Sequence, residues 1–370
     1  MPNPTQETCL AWLAASGLPA DALRDLLKAE PDPVCVYSFF RQHGKLPAGI
    51  PAPDKLLREM RRQSEEDRLM VWRQLIEKHG IRTVTSEDPG YPERLRNIPD
   101  APAVLFYQGN LKAPGERTVS MVGSRNCSMK GAEATARISR ALSESGISVI
   151  SGLAYGIDAA AHQGCLRGGS PTAAVLGCGL DQDYPAENAA LRKRILDAGG
   201  LVLSEYAPGE KPLGWHFPYR NRIISGLGDC VILMEARIRS GSMTTVQHAL
   251  DQGKDVFVYP GEPESLRSEG NHQLLREGAI YFTTAEDLME DMGWLDKKIE
   301  VGQNNGSAAE QTLTAPEKQV MNQLEKGACG FDFLCDALNM QAALLNSTLS
   351  LLQIRGLIRA LPGKQYQKND

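Results

Sequence analysis

None of the chain's eight cysteines, at positions 9, 35, 127, 165, 178, 230, 329 and 335, forms a C-x-x-C pair with another. A zinc ribbon and a disulfide framework both depend on characteristic thiol spacing, so neither is indicated and reduced thiols are expected. The sequence also lacks an uninterrupted apolar run of about 18 residues, the length a membrane-spanning helix needs. Its start, MPNPTQETCLAWLAASGL, has neither the basic beginning nor the long apolar stretch of a signal peptide, which makes the cytoplasm the expected compartment, with no membrane insertion. Positive charge is not in excess: 40 Lys and Arg against 45 Asp and Glu leave a net charge of −5. Coating of duplex DNA by bulk attraction is therefore disfavoured, and any polyanion has to meet a local basic cluster. What is present, 42% hydrophobic and 23% charged residues in 370, suits a globular chain of two or three domains.

Between Thr118 and about Met292, short β-rich runs alternate with helical patterns. TVSMV, SVIS, TAAVL, LVLS, CVILM, DVFVY and AIYF are the candidate strands. Strands separated by single helices imply a parallel sheet covered on both faces, with ligands beyond the strands' C-terminal ends. The fold class expected is α/β, an extended Rossmann-like core over 74–296. Residues 1–73 carry only helical patterning broken by prolines, and read as a small helical domain of the SAM or helix-hairpin-helix kind. VLFYQG, after a Pro/Gly-rich stretch, reads as an edge strand. Residues 297–315 are polar and read as a linker. Pro316 to Leu324, Phe331 to Leu338 and Ala342 to Ile354 read as three helices before a short hairpin, a winged-helix pattern over 316–370.

Three loops hold the informative chemistry: VGSRN at 122–126, SGLAYGID at 151–158 and FPYRNRIISG at 217–226. The first two join a strand to a helix, where free N–H groups, the helix dipole and glycine favour a phosphate. VGSRN has one glycine where a dinucleotide fingerprint needs three, no acidic residue ends SVIS, and no P-loop is present. Arg125 instead stands at the mouth, where a guanidinium grips phosphate with two parallel hydrogen bonds. Asp158 reads as a helix N-cap in preference to a ligand, and His162, four residues on, as a buried partner of Asp158 rather than a general base. In the third loop, Phe217, Tyr219, Arg220, Asn221 and Arg222 follow Trp215 and His216. Rings interleaved with guanidinium groups suit a single strand, whose bases stack while its phosphates meet arginine; a core Phe and Tyr beside two solvated arginines is the plain alternative. Ser240, Gly241, Ser242, Thr244 and Thr245 form a hydroxyl-rich turn that opens a further helix, either a second anion cradle or simply a cap. Glu205 and Glu235 lack a paired acid nearby and read as caps or partners of arginine.

These blocks, with VLGCGLDQDYP, LSEY, VYPG and GNHQLLREGA, occur in an order that resembles the DNA-processing protein A (DprA, also called Smf) family over about Val84 to Met292. The resemblance implies a cytoplasmic homodimer that binds incoming single-stranded DNA during natural transformation, protects it and helps load the RecA recombinase, with no cofactor or metal and no catalysis. Carried over by position, it implies a DNA groove lined by Gly123, Ser124, Arg125, Ser151, Gly152, Gly156, Phe217, Arg220, Asn221, Arg222, Ser240, Gly241, Ser242 and Thr244. Several relatives resemble one another in having a lysine three residues before the Phe, where this chain has Gly214; Lys211 or His216 is expected to supply the charge and Trp215 to add stacking. GNHQLLREGAIYF at 270–282 offers Leu274, Leu275 and Ile280 either to a dimer contact or to the core, with the core preferred. The 316–370 region has a candidate recognition helix whose only long cation is Arg355, poor for reading duplex, so partner binding or weak DNA binding is expected there.

An enzyme is the rival expectation. Nucleoside-monophosphate phosphoribohydrolases of the lysine-decarboxylase-like class resemble this fold distantly and carry P-G-G-x-G-T-x-x-E. SGSMTTVQ at 240–247 keeps Gly241 and Thr244 but puts Gln247 at the acidic position, where an amide cannot move a proton as a carboxylate can.

Overall fold

A computed structural model describes residues 4–295, 315–325, 327–338, 340, 345, 348–349, 352, 357–361 and 365–368. The first helices are punctuated by local chemistry. In α1 (Gln6–Ala14), Thr5 and Thr8 form a reciprocal cap; α2 is Ala20–Ala29; α3 (Pro33–His43) starts on the Asp32 carboxylate and stops at Gly44 in the left-handed region. Helices α4 (Asp54–Gln63) and α5 (Glu66–His79) follow, the latter ending at left-handed Gly80. Then come β1 (Arg82–Thr85), α6 (Glu93–Arg96), β2 (Val104–Gly109), β3 (Thr118–Val122), α7 (Met129–Glu144), β4 (Ser148–Ser151), α8 (Ile157–Gly168) and β5 (Ala173–Val175). The order continues with α9 (Ala189–Asp197), β6 (Leu201–Ser204), α10 (His216–Leu227), β7 (Cys230–Leu233), α11 (Ser242–Asp251), β8 (Val256–Val258), α12 (Glu269–Arg276), β9 (Ile280–Tyr281) and α13 (Ala285–Asp291).

Nine strands form one sheet in the order β1-β2-β6-β5-β4-β3-β7-β8-β9. From β6 to β9 every neighbouring pair is parallel, and β3, β4, β5, β6 and β7 are buried along their whole length. Helices on both faces exclude water from both sides, which is why these strands read as unbroken apolar runs. The seven expected core strands are present. VLFYQG is not an edge: β2 lies antiparallel between β6 and β1. The true edge, RTVT, is short and half polar, which hid it in the sequence.

Nor do the N-terminal helices form a core of their own. Trp12, Leu26, Phe40, Met60 and Trp72 share one apolar cluster with Ala103, Phe106, Leu176 and Val202 of the sheet region. The Trp72 indole donates to Pro208 O at 3.0 Å, and Arg24 donates to Ala101 O at 2.8 Å. Residues 1–296 thus form one compact unit, and α5 runs straight through the boundary expected at 73.

The second unit, from Lys297, contains α14 (Ala315–Leu324), β10 (Cys329–Gly330), α15 (Phe331–Leu338), β11 (Ile358–Leu361) and β12 (Gln365–Lys368). Its sheet order is β10-β12-β11, with the expected hairpin as β11 and β12, over a core of Val320, Leu324, Leu334, Leu345, Leu352 and Ile358. Most of the expected third helix, with Arg355, and all but the last residue of the expected linker lie outside the described residues.

Candidate functional site

The chain leaves β3 toward β4, β5 and β6 on one side, and β7 returns to pair with β3 on the other. Loops after β3 and β7 must therefore diverge, opening a crevice at the strands' C-terminal ends. Backbone bonds tie its floor together: Ser124 N–H donates to Glu235 O at 2.7 Å, and Ile157 N–H to Ser124 O at 3.2 Å. The crossing requires glycine at 156, which has φ +71° and where a Cβ would lie 2.7 Å from Arg125 O. Glu235 itself accepts from Ser128 N–H and Oγ, holding the start of α7.

The resulting cleft has a volume of about 670 Å³. Gly123, Ser124, Arg125 and Asn126 line one wall, Phe217, Arg220 and Asn221 of α10 another, and Arg237, Arg239, Ser240, Gly241 and Ser242 the third. Four of its residues are arginines, and its one carboxylate is Asp158. The Arg125 guanidinium sits 5.0 Å over the Phe217 ring, whose neighbour is Tyr184 at 5.3 Å. Among the described residues no hydrogen bond or ion pair engages Arg125. A cation parked on a ring, exposed and without an acceptor, is free to take a phosphate.

Arg220 is different, being buried and fixed from below. Its guanidinium donates to Gly152 O at 3.1 Å and to Val175 O, and a Cβ on Gly152 would be wedged between it and Asp158, 2.6 Å from one and 2.8 Å from the other. Burial lowers its pKa to about 10, so it remains a cation at neutral pH and projects fixed positive charge into the cleft.

Several expectations are corrected. Asp158 does not cap α8: the cap position is Gly156, without a side-chain bond, and Asp158 Oδ2 accepts from Gly152 and Ala154 N–H at 3.2 and 3.3 Å, closing the preceding loop. Burial pushes its pKa up, opposed by Arg220. His162 pairs with Thr172 Oγ1 at 2.8 Å rather than with Asp158. Because the Thr172 hydroxyl donates to Val149 O, the His162 proton is on Nδ1, and among the described residues Nε2 has no hydrogen-bond partner. Burial lowers this histidine's pKa to about 3, which keeps it neutral.

Arg222 does not line the cleft. It lies buried on another face of α10, paired to both Glu205 oxygens at 2.8 and 2.5 Å, donating to Asp100 O and lying 3.8 Å from the Tyr219 ring. Ser151 is also structural, its hydroxyl donating to Met121 O at 2.7 Å. Thr244 joins Asn221 Nδ2 to Gly241 O, tying α10 to the turn before α11. Lys211 and Trp215 are exposed but outside the cleft lining. His216 cannot replace a lysine: it is buried, stacked 3.9 Å from Tyr206, and its pKa is lowered by that burial. Leu274 is buried, while Leu275 and Ile280 are half-buried. Arg237, Arg239, Asn126 and Tyr184 were missed. An Arg-x-Arg directly before a hydroxyl-rich turn was the available signal for the first two.

A doubly wound α/β unit with a four-arginine cleft at its switch point defines a protein of the Rossmann-like class. The chain belongs to the DNA recombination-mediator protein A family, also called DprA or Smf: residues 82–293 match that family and 306–364 match the DprA winged helix domain. It is 47% identical over 207 residues to DNA processing protein DprA of Streptococcus pneumoniae, covering 55% of this chain and 72% of that protein. The X-ray structure of DNA processing protein A from Streptococcus pneumoniae superposes with a TM-score of 0.65 at 37% identity, over 76% of this chain and 95% of that one. A Helicobacter pylori DNA processing protein A, solved for its single-stranded DNA binding mode, gives 0.52 at 29% identity, over 57% and 95%.

Proposed function

We propose that the cleft holds the sugar-phosphate chain of single-stranded DNA without cutting it, and that the protein is a cytoplasmic homodimer that protects incoming DNA and passes it to the RecA recombinase during natural transformation. The observation that carries the DNA reading is the unengaged Arg125 guanidinium on the Phe217 ring, at the mouth of a four-arginine cleft. Flat ring and cation side by side meet base and phosphate together. The named mode of the Helicobacter pylori relative supports this assignment, while dimerisation and RecA transfer rest on the family resemblance.

Binding without chemistry is supported by the groups on hand. Gln247, where the hydrolase pattern has its acid, is exposed and bonded to Asp251 at 2.9 Å, outside the cleft lining. The Asp158 oxygen Oδ2 is already committed to two backbone N–H groups. Oligo-dT is expected to bind far more tightly than duplex of equal length, and Arg125→Ala to weaken binding and flatten the slope of log K against log salt by about 0.7. Equal affinity for duplex, or an unchanged slope in the variant, would refute the assignment. Release of free base from nucleoside monophosphates would refute the non-enzymatic part.

A further inference from the structure

Helix α10 presents two functional faces, and only one borders the cleft. Phe217, Asn221 and Ile224, spaced i, i+4, i+7, line it. Trp215 and Tyr219, also four apart, fall on the opposite side, with Trp215 already in helical conformation at φ −76°, ψ −17°. Trp215 is 64% exposed and Tyr219 39% exposed. Two large rings left in water on one helical face, while Trp12 and Trp72 are buried, are an apolar surface with no role in the core.

Their surroundings hold them as platforms. Trp215 makes edge contacts with His216 at 4.1 Å and Tyr206 at 6.4 Å, so its neighbours touch it at an angle instead of covering it in a parallel stack. Tyr219 rests on the Arg222 guanidinium at 3.8 Å, itself locked by Glu205, which fixes the ring from beneath. The surface is continuous with the cleft, because Gly214, immediately before Trp215, is one of the cleft's lining residues. Gly214 leaves nothing within 4 Å of where a Cβ would stand, an open lip over which a chain can pass.

Resting on the assignment of the cleft to single-stranded DNA, we propose that the strand does not end in the cleft but turns over the Gly214 lip and lays its next bases on Trp215 and Tyr219, a second, stacking subsite on the outer face of α10. The cleft then supplies the charge-based grip, and the outer face a sequence-tolerant one. This subsite accounts for the exposed tryptophan beside the glycine.

The test is affinity for oligo-dT of increasing length, across the ~4 to ~16 nucleotides typical of single-strand sites, for the wild type, Trp215→Ala, Trp215→Phe and Arg125→Ala. Trp215→Ala is expected to match the wild type on the shortest oligonucleotides and to bind longer ones about 5- to 150-fold more weakly, the range for one lost base–aromatic stack. Trp215→Phe should recover most of the loss. Replacing the overhanging nucleotides with abasic ones, which keeps phosphates but removes rings, should bring the wild type at least as low as Trp215→Ala, because the Tyr219 stack is lost as well. If the wild type binds oligo-dT and Arg125→Ala weakens it at every length, yet Trp215→Ala is indistinguishable from the wild type throughout, the outer subsite is refuted while the cleft assignment stands. If oligo-dT does not bind at all, the cleft assignment itself has failed.

Discussion

Two residues apart on α10, Arg220 and Arg222 have opposite duties because their surroundings differ. Arg220 is held by backbone carbonyls with Asp158 close by, and its charge reaches the cleft; Arg222 is neutralised by a bidentate carboxylate and serves packing. His162 shows the same dependence on context in a measurable way. Its folded pKa of about 3 lies below the ordinary 6.5, so between those values the unfolded chain binds a proton that the folded chain refuses. The stability it contributes is complete above pH 6.5 and is lost as pH falls toward 3, by at most about 1.4 kcal/mol per pH unit. Asp158, with its pKa raised by burial, acts in the opposite sense, favouring the fold at low pH and losing that contribution as pH rises through its folded pKa. Comparing the wild type with His162→Gln removes the Asp158 contribution common to both. The denaturant midpoint of the wild type should fall more steeply than the variant's across that window; parallel pH profiles would show that His162 is not buried neutral.

At the scale of elements, the cleft depends on α10 being held at both ends. Its N-terminal half carries Phe217, Arg220 and Asn221, while its C-terminal carbonyls are gathered by one side chain: Lys254 Nζ donates to Ser225, Gly226 and Gly228 O at 2.8, 2.7 and 2.5 Å. Losing a charged donor from half-buried acceptors costs about 1–3 kcal/mol. Lys254→Met should accordingly lower the unfolding free energy by that amount, read as a lower urea midpoint at an unchanged m-value; an unaltered midpoint would mean that water replaces the lysine without penalty. Elements α8 and α11 illustrate a second point. In neither does the cap-position residue supply a side-chain bond: that residue is Gly156 in α8 and Gly241 in α11, and Gly241 lines the cleft.

Across the molecule, the N-terminal helices are part of the sheet's core. Trp72 is buried between them, with its indole bonded to the Pro208 carbonyl. Trp72→Ala should cost about 3–5 kcal/mol and move the whole melting transition of residues 1–296 downward in calorimetry. A separate early helical transition, with the sheet's left in place, would contradict a shared core. The strand order also explains why the cleft lies where it does, since a crevice opens only where β3 and β7 send their chains in opposite directions.

How much could be read in advance follows from this. Strands buried on both faces announce themselves as apolar runs, and glycines, arginines and rings cluster at strand ends, so the core strands and the place of Arg125, Phe217 and the Ser240–Ser242 turn along one cleft are legible. The place of Arg222 is not legible in the sequence, because its role depends on Glu205, seventeen residues away in the chain, and helical phase alone does not reveal which arginine meets the cleft. The edge strand RTVT and the fused helical region were hidden because short polar strands and shared cores leave no periodic trace. By itself the sequence determined which segments become strands and helices and which residue types gather near their ends, since these depend on local pattern and apolar periodicity. Only the tertiary structure decided which arginines face the cleft, which are neutralised and which rings remain in water, because burial and pairing are set by neighbours distant in the chain.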